Sequence, residues 1–531
     1  MLTGQNAFAI PAKFRYPAAG PSVTSLAIAW ALLVAVQQAQ ATECSRAALS
    51  AAAPPNTSIT SVGAVAADAQ FPKYCRVEGV VDREITYELR LPEGWNGKFL
   101  FQGYGGLDGA PPALTQTLVL GSPGTPLALQ RSYAVVTTDT GHRGAILPGT
   151  TAPVYDGNWA LNDVERQVNF AHRSTHVVGE TAKAIIKAYY GEPPRYSYYH
   201  GCSGGGRQAV MVAQRYPADF NGVVAGAPWL SFTRQTLGFT WISQTLTRSP
   251  IPSAKLPIIA KAVTAACDAQ DGLVDGQVTE PQRCKADLRT ASMCSAGDGA
   301  DCLTKAQADA VQRIRSGPST TDGRPLFPGL EPGGEDLQWS DAIVNPANGG
   351  PGTLLSFLPE QILKYFAFGP HYDIQAFDFD RDAVALEPLE FLNVKPDLAA
   401  FRAAGGKLLM WHGLNDPRLS PRYSMQFRDD VVRALGGEPR ATDEFFRLFL
   451  APGVGHCGGG NGPNSIDALA ALENWVEHGA APGRIIASRR TAQGGVDRAR
   501  PLCPYPQFAA YDGRGNIDDP GSFSCSVHSG D

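Results

Sequence analysis

A serine in a glycine-rich turn is the residue of this chain best suited to nucleophilic chemistry. Ser203 is the central residue of the sequence GCSGG at 201–205, which fits the pattern G-x-S-x-G. A strand-like run at 196–199 precedes the turn, and a helix-like run at 207–216 follows it and is ended by Pro217. Without these flanking elements an ordinary glycine turn would be an equally good interpretation. With them, the pattern predicts a sharp turn that exposes the serine hydroxyl for attack on a carbonyl carbon.

A serine hydroxyl becomes an effective nucleophile when a base removes its proton and an acid orients that base. The expected chain order after such a turn is serine, acid, histidine. Asp416 and His456 each follow a strand-like run, so both stand where this order requires them, although either could be an ordinary loop residue. His412 is the other candidate base, but its closeness to Asp416 in sequence argues against its being the partner of that acid. The sequence therefore predicts a triad of Ser203, Asp416 and His456.

The oxyanion of an acyl-transfer intermediate needs backbone N–H donors. One donor is expected at Gly204, directly after the serine. The other is expected in the loop 103–106, with the sequence GYGG, which follows a strand-like run at 98–102. Glycine lets the backbone approach the reacting atoms closely, although a plain glycine turn would look the same in sequence.

Alternating strand-like and helix-like runs are expected to position these residues. Strand-like runs at 85–91, 98–102 and 133–138 precede a helical stretch at 164–190, and another strand-like run at 220–225 follows the helix after Ser203. Alternation of this kind predicts an α/β fold with a mostly parallel sheet. A nucleophilic serine between strand and helix in such a sheet is typical of an α/β-hydrolase core.

A long segment without this alternation interrupts the core. From about Trp229 to about Val394 the chain is rich in Pro, Gly and Cys and predicts only short helices. Strand-like runs return at 407–411 and 445–450, and a final helix is predicted over 465–478. We therefore predict a hydrolase core in two parts, 42–228 and 395–531, with a large disulfide-rich lid inserted at 229–394.

Residues 1–41 have the composition of a secretory signal peptide. Lys13 and Arg15 precede an apolar run at 26–36 and an Ala-x-Ala sequence at 39–41. The apolar run is shorter than the roughly 20 residues that a membrane span requires. We therefore expect cleavage before Thr42 and export, either to the periplasm or to the medium.

The composition argues against strongly charged macromolecular partners. The formal net charge is −5 over 531 residues, of which 44% are hydrophobic and 18% are charged. These values describe a globular protein and give no support for a nucleic-acid partner or, after signal cleavage, a membrane partner. The sequence leaves the oligomeric state open.

The ten cysteines, an even number in a chain expected to be exported, predict disulfides. No C-x-x-C sequence occurs, which argues against zinc thiolates and a thioredoxin-like redox site. Proximity along the chain suggests the pairs Cys44–Cys75, Cys267–Cys284, Cys294–Cys302 and Cys503–Cys525, which leaves Cys202 with Cys457. Spacing alone does not establish this connectivity.

Two groups of residues have metal-binding chemistry. Asp268, Asp271 and Asp275 place three carboxylates in one short loop, and oxygen ligands of this kind suit Ca²⁺. The spacing is not that of an EF-hand, so a solvated acidic turn is an equally good interpretation from the residues alone. His172 and His176 have the spacing of a metal pair on a helix, but no Glu follows His172, which favours a packed or solvated helix face.

The longer motifs resemble those of the tannase and feruloyl esterase family of α/β-hydrolases. The similarity runs from Cys44 to the region of Cys503 and Cys525, nearly the whole chain after the predicted signal peptide. Its specific marks are GCSGGGR at 201–207, QRYP at 214–217, AGAP at 225–228, Pro452-Gly453 with His456-Cys457, and RPLCPYP at 500–506.

The resemblance implies a role for each candidate site residue. Ser203, Asp416 and His456 would form the triad, with oxyanion donors at Gly106 and Gly204. A disulfide between Cys202 and Cys457 would lie beside them, and the other four disulfides would be those suggested above. A structural calcium ion in the lid would be bound by the carboxylates of Asp268, Asp271 and Asp275. The backbone carbonyls of Leu273 and Gln277 would complete the ligands.

The resemblance also implies an activity. The expected protein is a secreted serine carboxylesterase of feruloyl esterase or tannase type, which hydrolyses esters of aromatic, phenolic acids through an acyl-enzyme and uses no organic cofactor. Terephthalate monoesters are the alternative substrates, but no lid arginine matches one that would bind their carboxylate. Five lid aromatics could stack on the acyl group or form the core of the lid: Trp339, Phe357, Tyr365, Phe366 and Phe368. A serine peptidase or a non-catalytic binding protein on the same fold remains an alternative.

Overall fold

The computed structural model describes residues 43–109, 125–291, 293–340 and 342–527. The predicted signal peptide at 1–41 lies outside the described residues and stays a prediction. Within the described ranges, no helix is both long enough and apolar enough to cross a membrane.

A sheet of nine strands forms the centre of the fold, in the order β1-β2-β3-β5-β4-β6-β7-β8-β9. The strands are β1 Thr57–Val65, β2 Tyr74–Val81, β3 Ile85–Pro92, β4 Lys98–Gln102, β5 Ala134–Thr138, β6 Tyr196–Cys202, β7 Gly222–Gly226, β8 Lys407–Gly413 and β9 Phe446–Ala451. All neighbours from β5 to β9 pair in parallel, whereas β1, β2, β3 and β5 pair in antiparallel fashion. The predicted mostly parallel sheet of an α/β-hydrolase is therefore confirmed.

Helices cover both faces of this sheet, because side chains of successive strand residues point to opposite faces. In β8, Leu408 and Met410 belong to an apolar cluster with residues of the two helices before and after β6. Leu409 and Trp411 belong to a second cluster, which includes Leu472 and other residues of the last helix. Burial on both faces explains why the parallel strands read as continuous apolar runs.

The helices that surround the sheet follow the predicted alternation. They are α1 Arg46–Ser50, α2 Val164–Val168, α3 Ser174–Tyr190, α4 Gly204–Arg215, α5 Phe232–Arg248, α6 Leu256–Cys267, α7 Leu288–Ala291, α8 Lys305–Ser316, α9 Glu335–Gln338, α10 Thr353–Ile362, α11 Ala399–Ala403, α12 Pro421–Ala434, α13 Pro439–Asp443 and α14 Ala468–His478. A π-helical turn, Asn169–Arg173, joins α2 to α3, so the helix expected over 164–190 is continuous but not uniform. Gly479, with φ of 70°, ends α14.

The segment between β7 and β8 contains α5 to α11, and none of its described residues belongs to the nine-stranded sheet. Its apolar side chains, among them Trp339, Leu355 and Leu389, form most of a third cluster. A helical insertion with its own core is what a lid requires, and the boundaries 229–394 stay a prediction.

Two short hairpins complete the chain after α14. They are formed by β10 Ile485–Arg490 with β11 Val496–Leu502 and by β12 Phe508–Tyr511 with β13 Phe523–Ser526. Neither these hairpins nor the antiparallel strands β1 and β2 were predicted from the sequence.

Candidate active site

Ser203 occupies the turn between β6 and α4. Its backbone angles, φ 62° and ψ −120°, are unusual for a residue with a side chain, as expected for a nucleophile at a sharp strand-to-helix turn. Its backbone N–H donates to the carbonyl of Gly226 at 2.9 Å, and its own carbonyl accepts from Trp229 N at 3.0 Å. These bonds attach the turn to the end of the neighbouring strand β7.

Glycine at 205 is required by close contact with the loop 103–106. A Cβ added at Gly205 would lie 2.3 Å from the carbonyl oxygen of Tyr104, which is too close for any side chain. The N–H of Gly205 donates to that same carbonyl. Tyr104 in the loop 103–106 and Gly205 in the turn 201–205 are thus in direct backbone contact, with no side chain between them.

The predicted oxyanion donors, Gly106 and Gly204, belong to adjacent backbone segments. Gly204 is the first residue of α4, so its N–H has no acceptor within the helix. A Cβ built on Gly204 would lie 3.0 Å from Gly105 Cα and 3.2 Å from Gly106 N, so the two backbone segments are adjacent. Gly106, with φ of 60°, and Ser203 both line one cavity. This arrangement leaves two N–H groups near the serine, as an oxyanion site needs.

Asp416 and His456 form a direct pair behind the cavity. His456 Nδ1 lies 2.7 Å from Asp416 Oδ2, and both side chains are almost completely buried. Asp416 Oδ1 also accepts backbone N–H bonds from Arg418 at 2.8 Å and Leu419 at 3.0 Å. The carboxylate is therefore fixed, and Nδ1 of His456 carries the proton, which leaves Nε2 able to accept one.

His412 is a second partner of Asp416, contrary to the expectation from its position in sequence. Its Nε2 lies 3.1 Å from Asp416 Oδ2 and 3.1 Å from the carbonyl oxygen of Leu419, while Nδ1 lies 2.8 Å from Ser424 Oγ. Two acceptors face Nε2, so Nε2 carries the proton and Nδ1 accepts from the Ser424 hydroxyl. The turn after β8 folds back on the strand end, which brings residues four apart into contact.

The surroundings of Asp416 and His456 lower the pKa of both groups, for different reasons. Burial alone would raise the pKa of Asp416, but the charge and hydrogen bonds of His456 and His412 lower that pKa below its ordinary range. Burial lowers the pKa of His456, against the raising effect of Asp416. Asp416 is thus ionised and His456 neutral near pH 7, the states that an acid–histidine pair needs to accept a serine proton.

The structure joins the cysteines in the same five pairs that the sequence suggested: Cys44–Cys75, Cys202–Cys457, Cys267–Cys284, Cys294–Cys302 and Cys503–Cys525. Of these, Cys202–Cys457 joins the residue before Ser203 to the residue after His456, with the Cα atoms 6.0 Å apart. This covalent link holds the two loops of the site together across 255 residues of chain.

The cavity in front of the pair has a volume of about 240 Å³. Ser203 and His456 both line it, together with apolar side chains: Val154, Trp229, Phe239, Leu354, Leu358 and Leu419. Trp229, Phe239 and the two leucines at 354 and 358 come from the lid segment. None of the five lid aromatics proposed from sequence lines this cavity; Trp339, for example, is 2% exposed in the lid core.

Arg418 also lines the cavity, and sequence reasoning missed it. A cationic group was expected only in the lid, whereas Arg418 lies two residues after Asp416 in the core. Its position next to a predicted triad member was the available signal.

The acidic loop, residues 268–277, is held by protein groups. Asp268 Oδ1 accepts from the backbone N–H groups of Asp275, Gly276 and Gln277 at 3.1–3.2 Å. Asp275 Oδ2 accepts from Arg500 Nη2 at 2.6 Å. Among the described residues, no group of three or more His, Cys, Asp or Glu side chains is arranged to hold a metal ion.

The oxygen donors of the acidic loop fit calcium in kind. Burial raises the pKa of Asp271, and the carboxylates of Asp275 and Asp268 add to this effect, so the three groups repel one another. In this structure, however, the Asp275 carboxylate is already paired with Arg500. The calcium site, with Leu273 and Gln277 as carbonyl ligands, stays a prediction.

The helical histidine pair has protein partners. His172 Nδ1 lies 2.9 Å from the Tyr216 hydroxyl, and His176 Nδ1 lies 2.8 Å from Asp219 Oδ2. The ring of His176 also stacks on Tyr216 with the centroids 4.0 Å apart. These contacts describe a packed helix face.

Comparison with known proteins agrees with this geometry. Residues 70–526 match the family model described as "Tannase and feruloyl esterase". The chain is 33% identical to an uncharacterized esterase of Xanthomonas campestris pv. campestris, with 89% of each protein covered. It is 30% identical to the mono(2-hydroxyethyl) terephthalate hydrolase of Piscinibacter sakaiensis, with 87% of this chain and 86% of that protein covered.

A solved structure shares the fold over nearly its full length. The crystal structure of feruloyl esterase B from Aspergillus oryzae matches with a TM-score of 0.78 and 26% identity, covering 89% of this chain and 97% of that one. The match to the family model extends over strands β2 to β9, the lid segment and the C-terminal hairpins. The chain therefore belongs to the tannase and feruloyl esterase family of carboxylic ester hydrolases.

Proposed function

We propose that this protein is an exported serine esterase that hydrolyses esters of aromatic, phenolic acids, with Ser203, His456 and Asp416 as its triad. The observation that carries the proposal is the 2.7 Å contact between His456 and Asp416 behind a cavity that Ser203 also lines. Family membership favours an ester hydrolase over the peptidase and the non-catalytic protein that the sequence left open.

The reaction proceeds in two steps in this proposal. Ser203 Oγ attacks the ester carbonyl carbon while His456 Nε2 accepts its proton, and that proton then passes to the leaving alcohol as the acyl-enzyme forms. Water, deprotonated by the same nitrogen, attacks the acyl carbon; the bond from that carbon to Ser203 Oγ then breaks, His456 returns the proton to Oγ, and the acid is released. Asp416 holds Nδ1–H of the imidazole and stabilises its charged form, and the N–H groups of Gly106 and Gly204 stabilise the oxyanion.

The apolar lining supports an aromatic acyl group. Trp229 and Phe239 offer ring surfaces, and Leu354 and Leu358 add apolar aliphatic contacts. The names of the relatives support two kinds of aromatic ester: those of feruloyl esterase B and of the mono(2-hydroxyethyl) terephthalate hydrolase. Phenolic esters are the first proposal, and terephthalate monoesters are the second.

Export is supported by the five disulfides, because such bonds persist in oxidising compartments. The signal peptide at 1–41 is part of this proposal. Amino-terminal sequencing of the mature protein from the producing cell tests it: a start at Thr42 is expected, and an uncleaved chain retained in the cytoplasm would contradict it.

Hydrolysis of methyl ferulate and methyl gallate by the mature protein tests the activity, with Ser203→Ala as the control. We expect release of at least one phenolic acid, lost by a factor of at least about 10³ in the variant, whose circular dichroism and melting temperature stay unchanged. Retained turnover in Ser203→Ala would refute the assignment of the nucleophile. Absence of turnover on both esters would move the proposal to terephthalate monoesters.

A further inference from the structure

Arg418 places a cation inside the catalytic cavity. It lines the cavity with Ser203 and His456, and it is half-buried. Its backbone is committed: the N–H donates to Asp416 Oδ1 at 2.8 Å, and the carbonyl accepts from Gln235 Nε2 at 3.2 Å. The stem of the side chain therefore starts from a fixed point beside the triad.

The guanidinium of Arg418 has no counter-ion. Neither a hydrogen bond nor an ion pair joins it to any residue in the described ranges, and no acidic side chain lines the cavity there. Arg422, four residues on and similarly half-buried, instead binds Glu331 through both carboxylate oxygens at 2.6 and 2.7 Å. Arg422 thus has a carboxylate partner in the described part of the chain, whereas Arg418 lines the cavity without one.

A cation among apolar side chains favours an anion as its partner. Val154, Leu358 and Leu419 reduce the water available to solvate the guanidinium. Arginine presents paired N–H groups that match the two oxygens of a carboxylate, and such charge-assisted pairs are about twice as strong as neutral hydrogen bonds. The chemistry of the site therefore selects a carboxylate in preference to a neutral polar group.

We propose that Arg418 is a specificity-determining residue that binds a carboxylate carried by the ester substrate. The inference rests on the proposed esterase function and states a preference within it: among aromatic esters, those with a free carboxylate are cleaved most efficiently. That carboxylate can belong to either side of the scissile bond: to the acid, as in a monoester of an aromatic dicarboxylic acid, or to the alcohol, as in an ester of a hydroxy acid.

Two matched substrate pairs test the proposal and identify the side. Monomethyl and dimethyl terephthalate differ only in a carboxylate on the acid, and caffeoylquinate and its methyl ester differ only in a carboxylate on the alcohol. Initial rates would be compared for the parent, Arg418→Gln and Arg418→Lys. Arg440→Gln is the control because it removes the same charge from an exposed helix position.

For the charged member of one pair, we expect kcat/KM to fall about 10- to 100-fold in Arg418→Gln, the range for loss of a charge-assisted hydrogen bond. The neutral member should change less than about threefold, and Arg418→Lys should be intermediate because it keeps the charge without the paired donors. Arg440→Gln should match the parent. Equal losses on charged and neutral members of both pairs would overturn the proposal, since Arg418 would then act only through His456.

Binding to Ser203→Ala separates this inference from the esterase proposal. Calorimetry should show the charged ester binding about 10- to 100-fold more tightly than its neutral partner, with the difference abolished in Ser203→Ala/Arg418→Gln. A binding difference without turnover in the parent would refute the esterase and sustain the carboxylate site. Hydrolysis of neutral esters without any binding difference would refute the carboxylate site and sustain the esterase.

Discussion

Replacing His412 by phenylalanine is expected to weaken catalysis without touching the nucleophile or the base. The substitution keeps the ring volume but removes the N–H that contacts Asp416 Oδ2 and Leu419 O, each at 3.1 Å. It also leaves the Ser424 hydroxyl, 1% exposed, without its 2.8 Å partner. A charge-assisted hydrogen bond contributes about 1.5–3 kcal/mol, so we expect the free energy of unfolding to fall by about 3 kcal/mol.

The kinetic effect has two parts. Asp416 keeps its bonds from Arg418 N and Leu419 N but loses lateral support, and a shift of about 1 Å in catalytic geometry can lower a rate about 100-fold. We therefore expect kcat to fall about 10- to 100-fold with KM little changed. The carboxylate charge, no longer shared with His412, should also bind the His456 proton more strongly and raise the pKa of His456.

The sign of the pH effect follows from the proposed role of neutral His456 as the base. Activity is lost as the pH falls through the pKa of His456, which burial holds below its usual 6.5 in the parent. The acidic limb of kcat/KM should therefore move to higher pH in His412→Phe. Methyl ferulate hydrolysis from pH 5 to 9, with urea unfolding of the same samples, measures both effects.

His412→Gln is the matched control, because its side-chain amide can still donate to Asp416. We expect it to recover at least half of the lost stability and most of kcat, with an acidic limb near that of the parent. Identical losses in the Phe and Gln variants, with unchanged pH profiles, would show that His412 acts through packing alone and would refute this reasoning.

Three further predictions concern stability. Replacing both Cys202 and Cys457 by alanine should lower the free energy of unfolding by about 5 kcal/mol, and replacing both Cys294 and Cys302 by about 2–3 kcal/mol, because the first pair closes a far longer loop. Equal losses in urea unfolding would contradict this. Burial raises the pKa of Asp108 to about 7, so the folded state holds its proton more tightly than the unfolded state and stability falls as the pH rises towards 7. Asp108→Asn should accordingly be close to the parent at pH 4 and about 4 kcal/mol more stable at pH 8, since a pKa raised from 3.8 to about 7, at about 1.36 kcal/mol per unit, gives that difference, whereas a pH-independent difference would exclude ionisation as the cause. A calcium chelator should lower the melting temperature if the acidic loop binds calcium, and an unchanged melt with no calcium by elemental analysis would remove that prediction.

Local signals were sufficient for the part of the fold that carries the proposed triad. The runs at 98–102 and 407–411 coincide with β4 and most of β8, since strands buried on both faces read as short apolar runs. β1 was missed because its residues are mostly half-exposed or exposed, so its apolar alternation is weak. The last hairpin was missed for a similar reason: β12 has four half-buried residues and no buried one.

Two features of the site could not be predicted from the sequence, and both depend on one turn, at residues 413–419. Chain order was enough to propose Ser203, Asp416 and His456, because that order reflects the succession of strand ends. Neither the contact of His412 with Asp416 nor the approach of Arg418 to the cavity follows from order, since both depend on how sharply the chain reverses after β8. The backbone N–H groups of Arg418 and Leu419 bind Asp416 Oδ1 and so make that reversal.

The same turn therefore fixes the acid and places a cation two residues away in the substrate cavity. Because Asp416 Oδ1 is bound by the Arg418 backbone, the guanidinium can be changed by substitution while Asp416 of the proposed triad keeps this hydrogen bond. In this turn the backbone N–H groups of Arg418 and Leu419 position Asp416, whereas the Arg418 side chain contacts the cavity. Substrate preference and catalytic geometry therefore depend on different atoms of the same short segment. A variant series at 418 should thus alter which esters are cleaved, whereas a series at 412 should alter how fast all of them are cleaved.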